Sequence, residues 1–537
     1  MKKSIMFMCA ASMLGLTVAC TDLDVPVESQ YTKYPTSDIA QEAMLSQIYL
    51  HLSGVWGRRY MEAQSLSSDE FVGVSFGGDY YDSGTYAHTC QHNFSPDDAS
   101  TNWYAEVERG ISQANIAIRD MGGNNGGAGV AGARAIRAFF HFVLMDSYGD
   151  IAVLDSVLAD TAVTKRLPRA QAAQFIADEL EAVIPDLTTD VTANTYGKPT
   201  RWMAEALLAK LYINWPVYTA ASVDAYDAAN YTNDKLNRVV ELCDDIIKSG
   251  KFDLSDSYLS KFYPNNSWQI KDFIYAMPYD AITQQGMQYA RPLTWRKANS
   301  GISYYGTKLS KSVGGNFSIT PEMSDLLLAL STDDRQGHVL AGTIYNFDPT
   351  TYQKTSTPWT YNDHNVTLNK TITLVPNGEE ELNVGNDENG YCQGFKTVKW
   401  FLVDADYKND RNQSNDVPIL RYADVLLMKA EAITRGATAT DGATAQSLFN
   451  QIRSYVHAPS IDHEPTLQEI YDERGREFFF ENWRRNDMIR FGHFEDEYGF
   501  HKKSFANAKF DKFRRVFPIP TSKLNTSGWS QNPGYSK

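Results

Sequence analysis

The sequence predicts a mostly α-helical protein, in which a scaffold of helical hairpins carries one long, irregular, loop-rich insert with a few short strands. Helix-period segments occur in two blocks, which lie on either side of residues 252–418. The residues between the blocks are punctuated by Pro, Gly and Asn and show few sustained helical patterns. The length of 537 residues exceeds one small core and favours several domains or one large repeat-built body.

The first residues predict export. Two lysines precede an apolar run over 5–19, which is too short to span a bilayer but has the length of a signal-peptide core. The run ends in Leu-Thr-Val-Ala directly before Cys20, a pattern that resembles a bacterial lipobox. We therefore predict a signal peptide over 1–19 and a lipidated linker over 20–35, with Cys20 as the lipidation site. The alternative is an ordinary cleaved signal peptide beside an unrelated cysteine.

The two helical blocks are predicted over 36–251 and 419–537, the second including the C-terminal tail. Successive helices of about 15 to 20 residues joined by short turns are typical of stacked helical hairpins, as in tetratricopeptide solenoids. No strict 34-residue identity is present, so this prediction depends on spacing alone. The predicted helices are 37–52, 102–121, 133–148, 169–187, 200–215, 234–249, 420–435, 444–456 and 466–491, with a flexible glycine-rich segment over 122–132.

The insert over 252–418 is predicted to face the ligand, together with the loop over 71–96. Long loops inside a compact protein are usually functional. Short strands are predicted within the insert over 273–277, 344–347, 371–375 and 397–402.

Composition excludes several functions. The net charge of −15 argues against binding to nucleic acid phosphates. The sequence contains no C-x-x-C motif, so we predict neither a zinc site nor a redox pair, and no cofactor. Three cysteines beyond Cys20, namely Cys90, Cys243 and Cys392, are predicted to be buried thiols.

An acidic stripe near the C-terminus has two interpretations. Glu473, Glu477 and Glu481 are spaced four apart and share one face of a predicted helix. Three carboxylates in a row suggest catalytic acids or metal ligands. The interpretation that we prefer is an ion network at the packing surface of the last helices, with cations from the nearby Arg474, Arg476, Arg484, Arg485 and Arg490.

No catalytic residues are predicted. The segment 73–77 fits the G-x-S-x-G nucleophile pattern, but that motif requires a preceding strand, a following helix and α/β alternation around it. A glycosidase would need two facing carboxylates about 5 to 10 Å apart, and no motif indicates such a pair.

A family resemblance is carried by motifs in the same order along the mature chain. They are Arg134–Phe140 with Asp146–Asp150, Asp416–Asp424 with Ala430–Ala432, Asn450–Arg453, Glu473-Arg474 with Glu477, Glu481, Arg484-Arg485, Asp487 and Ile489–Gly492, and the tail Phe517–Pro520 with Gln531–Tyr535. Together they resemble the SusD/RagB family of nutrient-uptake outer-membrane lipoproteins.

The resemblance implies a tetratricopeptide-like scaffold with an irregular ligand-facing part, at the surface of a Gram-negative outer membrane. It also implies a partner, a SusC-like TonB-dependent transporter that the lipoprotein covers. The expected function is capture of an oligosaccharide and its delivery to that transporter, without catalysis. The alternatives are a peptide-binding lipoprotein like the RagB branch, a structural lid without affinity of its own and, as a different class, a glycosidase.

Aromatic residues of the insert and the loop are the candidate ligand site, because sugar C–H faces stack on rings while hydroxyls need planar hydrogen-bonding partners. By resemblance to starch-binding members, Tyr289 and Phe317 lie near the sugar-stacking aromatics. The predicted ligand-binding residues are Tyr289, Trp295, Phe317, Asp69, Tyr81, Tyr304 and Arg291. The alternative for the rings is core packing, and a second aromatic set is Tyr352, Trp359 and Tyr361.

Overall fold

A computed structural model describes residues 38–159, 164–296 and 304–536 of the chain. The chain divides into two units, over 1–44 and 45–537, and only the start of the first helix is described in the first unit. The predicted signal peptide, the linker and Cys20 lie outside the described residues.

The described chain is mostly helical, with few short strands, which confirms the predicted fold class. The longer helices fall within a few residues of the predicted bounds because their apolar periodicity marks the buried faces. The main helices are Asp38–Tyr49, Met61–Leu66, Thr85–Cys90, Tyr104–Asp120, Ala128–Tyr148, Arg169–Val183, Arg201–Ile213, Trp215–Thr219, Leu236–Lys248, Pro321–Leu327, Glu388–Tyr391, Asp404–Tyr407, Tyr422–Thr434, Ala445–Tyr455, Leu467–Glu477, Arg484–Phe491 and Thr521–Ser527, and a π-helical turn over Val55–Tyr60 precedes the second.

The two helical blocks form one continuous stack. Each long helix from Tyr104–Asp120 to Leu236–Lys248 packs against the next one in the chain, as in helical hairpins. Leu236–Lys248 then packs against Tyr422–Thr434, the first long helix of the second block. The chain between these two helices therefore leaves the stack and returns to it.

The helix Ala128–Tyr148 forms the centre of the first block. By length and composition it could cross a membrane, but most of it is buried inside the fold, as in the core helix of a soluble protein. It begins inside the segment that we predicted to be flexible. A Cβ on Gly132 would collide with the Tyr49 hydroxyl, so the glycine at this helical position allows a close approach.

The predicted helix over 466–491 is wrong as a single element, because it is broken into Leu467–Glu477 and Arg484–Phe491. Phe480 and Asn482 have φ of 61° and 70° in the break, a left-handed conformation that a helix cannot contain. The break is stabilised from outside, since the buried Glu70 carboxyl accepts a 2.6 Å hydrogen bond from the Phe480 backbone N–H.

The strands are short and pair in twos. Phe273–Met277 confirms a prediction and pairs antiparallel with Val417–Arg421. The predicted strand over 344–347 is shortened to Tyr345–Phe347, and of the predicted 397–402 only Thr397 lies in a strand. The segment 371–375 forms no strand, and the Val375 N–H donates to the Asn383 carbonyl instead. The strands are Phe71–Gly73, Phe273–Met277, Phe317–Ile319, Val339–Leu340, Gly342–Thr343, Tyr345–Phe347, Lys354–Pro358, Thr360–Tyr361, His364–Asn365, Thr367–Leu368, Lys396–Thr397 and Val417–Arg421.

The acidic stripe forms a buried ion network, which confirms the preferred interpretation. Glu473, Glu477 and Glu481 are each at most 1% exposed. Although burial acts to raise the pKa of Glu473, the neighbouring arginines hold it at about 2. The pairs of the stripe are Glu473 with Arg335, Arg453 and Arg476, Glu477 with Arg335 and Arg421, and Glu481 with Lys399 and Arg421.

Most of the predicted cations of this network are wrong, since only Arg476 pairs with the stripe. Arg474 and Arg490 pair with other buried carboxylates, and Arg484 pairs with Asp69. Arg485 instead donates to the Arg514 carbonyl. The cations that neutralise the stripe come from distant segments, so the network ties the insert to the last helices.

The three cysteines beyond the signal region are free and buried, as predicted. Burial raises the pKa of Cys392 to about 11. These thiols therefore pack as small apolar groups.

Candidate ligand-binding site

A cavity of about 260 Å³ opens where the loop over 80–86 meets two segments of the insert, 288–292 and 314–316. The segment 58–62 closes it from a third side. The lining residues are Arg58, Arg59, Glu62, Tyr80, Asp82, Ser83, Thr85, Tyr86, Ala99, Gln288, Arg291, Pro292, Gly314 and Asn316. The loop and the insert, which we predicted to face the ligand, thus meet in one cavity.

Short backbone pairings hold the two sides of this cavity together. The strand Phe71–Gly73 pairs antiparallel with Phe317–Ile319. Directly after it, Val74 N–H donates to the Asn316 carbonyl at 2.8 Å, and the Tyr80 hydroxyl donates to the Val313 carbonyl at 2.7 Å. Both walls are therefore fixed to one two-stranded sheet.

The loop turns sharply at the mouth of the cavity. Tyr80, Asp82 and Ser83 have φ of 65°, 44° and 58°, which is uncommon for residues with a side chain. Such conformations persist where the surrounding structure imposes them and are frequent at ligand sites. The turn presents Asp82 and Ser83, both exposed, at the rim.

Arginine side chains dominate the charge of the cavity wall. Arg58 Nε and Arg59 Nη1 bind the two oxygens of the buried Glu62 carboxylate at 3.0 and 2.6 Å. Burial acts to lower the pKa of Arg58, but Glu62 raises it above the usual value. The pKa of Arg291 is lowered by its burial and by the positive charges of Arg58 and Arg411.

Tyrosines supply the rings of this site. Tyr86 forms a mostly buried wall and is 6% exposed, while Tyr80 is half-buried. The Arg296 guanidinium lies 5.1 Å from the centre of the Tyr80 ring and forms an ion pair with Asp79. Tyr80 is thus covered by a cation and contributes mainly its edge and its hydroxyl.

The structure places Tyr289 and Phe317 in the interior, where neither can stack on a ligand. Tyr289 is 0% exposed, and its hydroxyl donates to the Trp56 carbonyl at 2.9 Å. Its ring lies 5.3 Å from both Trp400 and Phe480. Phe317 packs on Phe71 and Tyr86. Core packing, the alternative that we stated for these rings, accounts for both.

Trp295 and Tyr304 are likewise buried, at 2% and 0% exposure. Trp295 makes an edge-to-face contact with Trp359 at 5.0 Å, and Tyr304 packs on Phe401 at 5.5 Å. The second aromatic set behaves similarly for Trp359 and Tyr361, and only Tyr352 is half-exposed. The insert therefore uses most of its rings to build its own core.

The polar residues of the prediction separate into two groups. Asp69 forms a bidentate ion pair with Arg484, whose Nε and Nη2 each lie 2.8 Å from one carboxylate oxygen. Its carboxylate therefore stabilises the scaffold. Arg291 lines the cavity, and Tyr81 is half-buried between two lining residues. Arg291 and Tyr81 remain our candidates from the sequence.

Several lining residues were missed by the sequence reasoning, namely Arg58, Arg59, Glu62, Gln288 and Asn316. Arg58 and Arg59 stand four and three residues before Glu62, a spacing that also describes an ordinary ion pair on a helix surface. No local signal distinguishes the two cases, because only the folded insert turns this helical face into a cavity wall.

A second groove, of about 290 Å³, lies elsewhere on the insert. Tyr263 and Tyr352 meet edge to face at 5.0 Å beside it, and Gln353 donates to the Tyr263 hydroxyl at 2.8 Å. Within residues 38–159, 164–296 and 304–536, no group of three or more His, Cys, Asp or Glu side chains is placed to hold a metal ion.

Family models and related proteins match most of the chain. The model of the SusD family matches residues 271–535, and a model described as "Starch-binding associating with outer membrane" matches 23–213. The starch-binding protein SusD of Bacteroides thetaiotaomicron is 23% identical over 482 residues, covering 82% of this chain and 80% of that protein. A SusD-like protein of Formosa agariphila is 22% identical and covers 80% of this chain and 77% of its own length.

Solved structures share the fold along almost the whole chain. Surface glycan-binding protein A from Bacteroides fluxus superposes with a TM-score of 0.68 at 18% identity, covering 93% of this chain and 100% of that one. The protein of the same name from Bacteroides thetaiotaomicron, solved in complex with laminarihexaose, gives 0.64 at 18% identity and the same coverage.

Proposed function

Because this chain belongs to the SusD family, we propose that it is a surface lipoprotein of the outer membrane that captures an oligosaccharide. In this proposal it delivers the sugar to a partner transporter, a SusC-like TonB-dependent channel. The observation that carries the proposal is the cavity between the loop over 80–86 and the insert, on a fold shared with glycan-binding proteins.

The chemistry of the cavity suits a sugar. Guanidinium and amide groups from Arg59, Arg291, Gln288 and Asn316 line it, and these planar groups form directed hydrogen bonds with hydroxyls. Tyr86 adds ring surface for the C–H faces. A volume of about 260 Å³ lies just below the usual range for ligand pockets, so it fits one part of an oligosaccharide, with the rest extending over the rim.

The cavity supports binding and not hydrolysis. The part of its lining that the structure describes contains two carboxylates, Glu62 and Asp82. Both oxygens of Glu62 are engaged by Arg58 and Arg59, whereas a glycosidase needs one free acid and one free base or nucleophile. Asp82 at the rim therefore lacks a catalytic partner in the lining.

The surface location is supported by the start of the sequence. The predicted signal peptide and Cys20 would leave the mature chain attached to a membrane by lipid. The family model over 23–213, whose description names association with the outer membrane, is consistent with this anchor.

The test is binding of the purified mature chain to a panel of oligosaccharides, measured by calorimetry, with product analysis of the same mixtures. The proposal expects heat of binding with at least one glycan and no shortened products. Shortened products would indicate a glycosidase. Binding of peptides alone would indicate a peptide carrier, and no binding at all would indicate a lid, so each of these results contradicts the proposal.

The location of the site is tested by Gln288→Ala, with Gln285→Ala as the matched control. Gln288 lines the cavity, whereas Gln285, three residues earlier in the same loop, is exposed and outside it. Loss of about one or two ligand hydrogen bonds should weaken affinity by roughly 3- to 30-fold in the first variant only. Equal affinities of the two variants would place the site elsewhere. The next candidate would then be the second groove, beside which Tyr263 and Tyr352 meet.

A further inference from the structure

The cavity is positively charged in a protein whose net charge is −15. Among the described residues, three arginines and two carboxylates line it. One of these, Glu62, is shared by Arg58 and Arg59, so these three side chains together keep one positive charge. The other, Asp82, is exposed at the rim and forms no ion pair with the lining arginines in the described part of the chain.

Arg291 has no carboxylate partner within ion-pair distance among the described residues. Among the described residues its guanidinium donates one hydrogen bond, from Nη1 to the Oε1 of the neutral Gln288 at 3.3 Å. The side chain is half-buried, and its surroundings include the positive charges of Arg58 and Arg411. A partly desolvated cation beside other cations is unfavourable unless a nearby anion neutralises its charge.

Asn316 gives an independent indication. It lines the same cavity and is 2% exposed, yet its side-chain nitrogen has no hydrogen-bond partner in the described part of the chain. Buried donors without a partner are uncommon in folded proteins and need an explanation, such as an acceptor that arrives with a ligand. The Arg291 guanidinium and the Asn316 amide group are both donors that face this cavity, and both favour acceptor oxygens.

We infer that the cavity binds an acidic oligosaccharide, with an anionic oxygen group of the sugar held by Arg291 beside Arg58 and Arg59. The inference rests on the proposed function and narrows its ligand to a class. A uronic acid carboxylate and a sulfate ester share the required chemistry, because a guanidinium can donate two parallel N–H bonds to either group. Neutral glucans offer only hydroxyl groups, so they would not neutralise the charge of Arg291.

The experiment is calorimetry of the mature chain with matched pairs of oligosaccharides. One arm compares oligogalacturonate with a neutral galacto-oligosaccharide of equal length, and the other compares a sulfated oligosaccharide with its desulfated form. We expect the acidic member of at least one pair to bind about tenfold tighter or more, because hydrogen bonds to charged groups are the stronger ones. Its affinity should also fall as NaCl is raised. The arm that shows the preference identifies the anionic group.

Variants connect the preference to the residue. Arg291→Gln should lose about tenfold or more of the affinity for the acidic glycan. Arg291→Lys, which keeps the charge without the planar fork, should recover part of it. The control is Arg119→Gln on the exposed side of the helix Tyr104–Asp120, which should bind like the unchanged protein. Melting temperatures of all variants show whether each is folded.

The outcomes separate the two proposals. If neutral glycans bind and their acidic counterparts bind no better, or if a folded Arg291→Gln keeps full affinity for the acidic glycan, the inference is overturned while the proposed function stands. If no oligosaccharide of either kind binds, both are overturned.

Discussion

Replacing Glu477 with Gln is the sharpest test of the buried ion network. The side chain is 0% exposed, and its two oxygens accept hydrogen bonds from Arg335 at 3.0 Å and Arg421 at 2.8 Å. Glutamine has nearly the same volume, so the substitution opens no cavity. It removes one negative charge and turns an N–H₂ donor toward guanidinium donors.

The structure sets the magnitude of the loss. Breaking a buried ion pair by removing one partner costs about 3 to 5 kcal/mol. Each guanidinium keeps two other carboxylates, Asp333 and Glu473 for Arg335, and Asp272 and Glu481 for Arg421. We therefore expect a loss near the lower limit, about 3 kcal/mol. For a unit of roughly 490 residues the unfolding entropy is about 1 kcal/mol/K, so the melting temperature should fall by about 3 °C.

The assay is thermal and urea unfolding followed by circular dichroism, with Glu380→Gln as the control. Glu380 is exposed, so the control should melt like the unchanged protein. The same melting temperature for Glu477→Gln, or a higher one, would refute the structural role of the stripe. That result is expected of a catalytic carboxylate, whose removal abolishes activity and keeps or raises stability.

Three further changes test other parts of the structure. Cys20→Ala should move the protein from the membrane fraction to the soluble fraction, because the acyl chains are lost; pelleting of the variant without its transporter would contradict lipidation. Asp69→Asn should lower the melting temperature through loss of the Arg484 pair and leave glycan affinity unchanged, as calorimetry would measure; lost affinity in a folded variant would return Asp69 to the site. Burial raises the pKa of Glu70 from 4.5 to about 8, despite the hydrogen bonds from Phe480 and Ser65 that lower it. The folded state thus holds a proton that the unfolded state releases, and the stability from this group should be full below about pH 4.5 and lost as pH rises toward 8. Urea unfolding between pH 5 and 8 should show this decline in the unchanged protein and a smaller one in Glu70→Gln; equal declines would assign it to other groups.

The helical scaffold could be predicted from the sequence because its information is local. Apolar periodicity and capping residues lie within each helix, as at Thr466, whose side chain and Glu469 form a reciprocal cap. The break over 478–483 could not be predicted in this way. Its conformation depends on Glu70, a residue 410 positions away along the chain. The same reason explains why most cations of the ion network were predicted wrongly. The glutamates of the stripe pair with Arg335, Lys399 and Arg421, which come from other segments of the chain.

The candidate site could be predicted in its position along the chain but not in most of its residues. Punctuation and loop length located the loop and the insert, and Arg291 was named. Composition could not tell an aromatic residue that binds a ligand from one that packs inside, and Tyr289 and Trp295 proved to be interior. Arg58 and Arg59 were missed because their helix face becomes a cavity wall only when the insert folds over it.

Because the cavity depends on the pairing of Phe71–Gly73 with Phe317–Ile319, we expect it to form late in folding. The two strands are separated by more than 240 residues, so their association closes a long loop and loses the corresponding chain entropy. Contacts of such sequence separation form slowly compared with helical hairpins, which join neighbours. A chain with its helices formed and this sheet unpaired would have no cavity. Ligand binding therefore measures completed folding, and a glycan that binds should speed neither helix formation nor early collapse but should slow the unfolding of the finished protein.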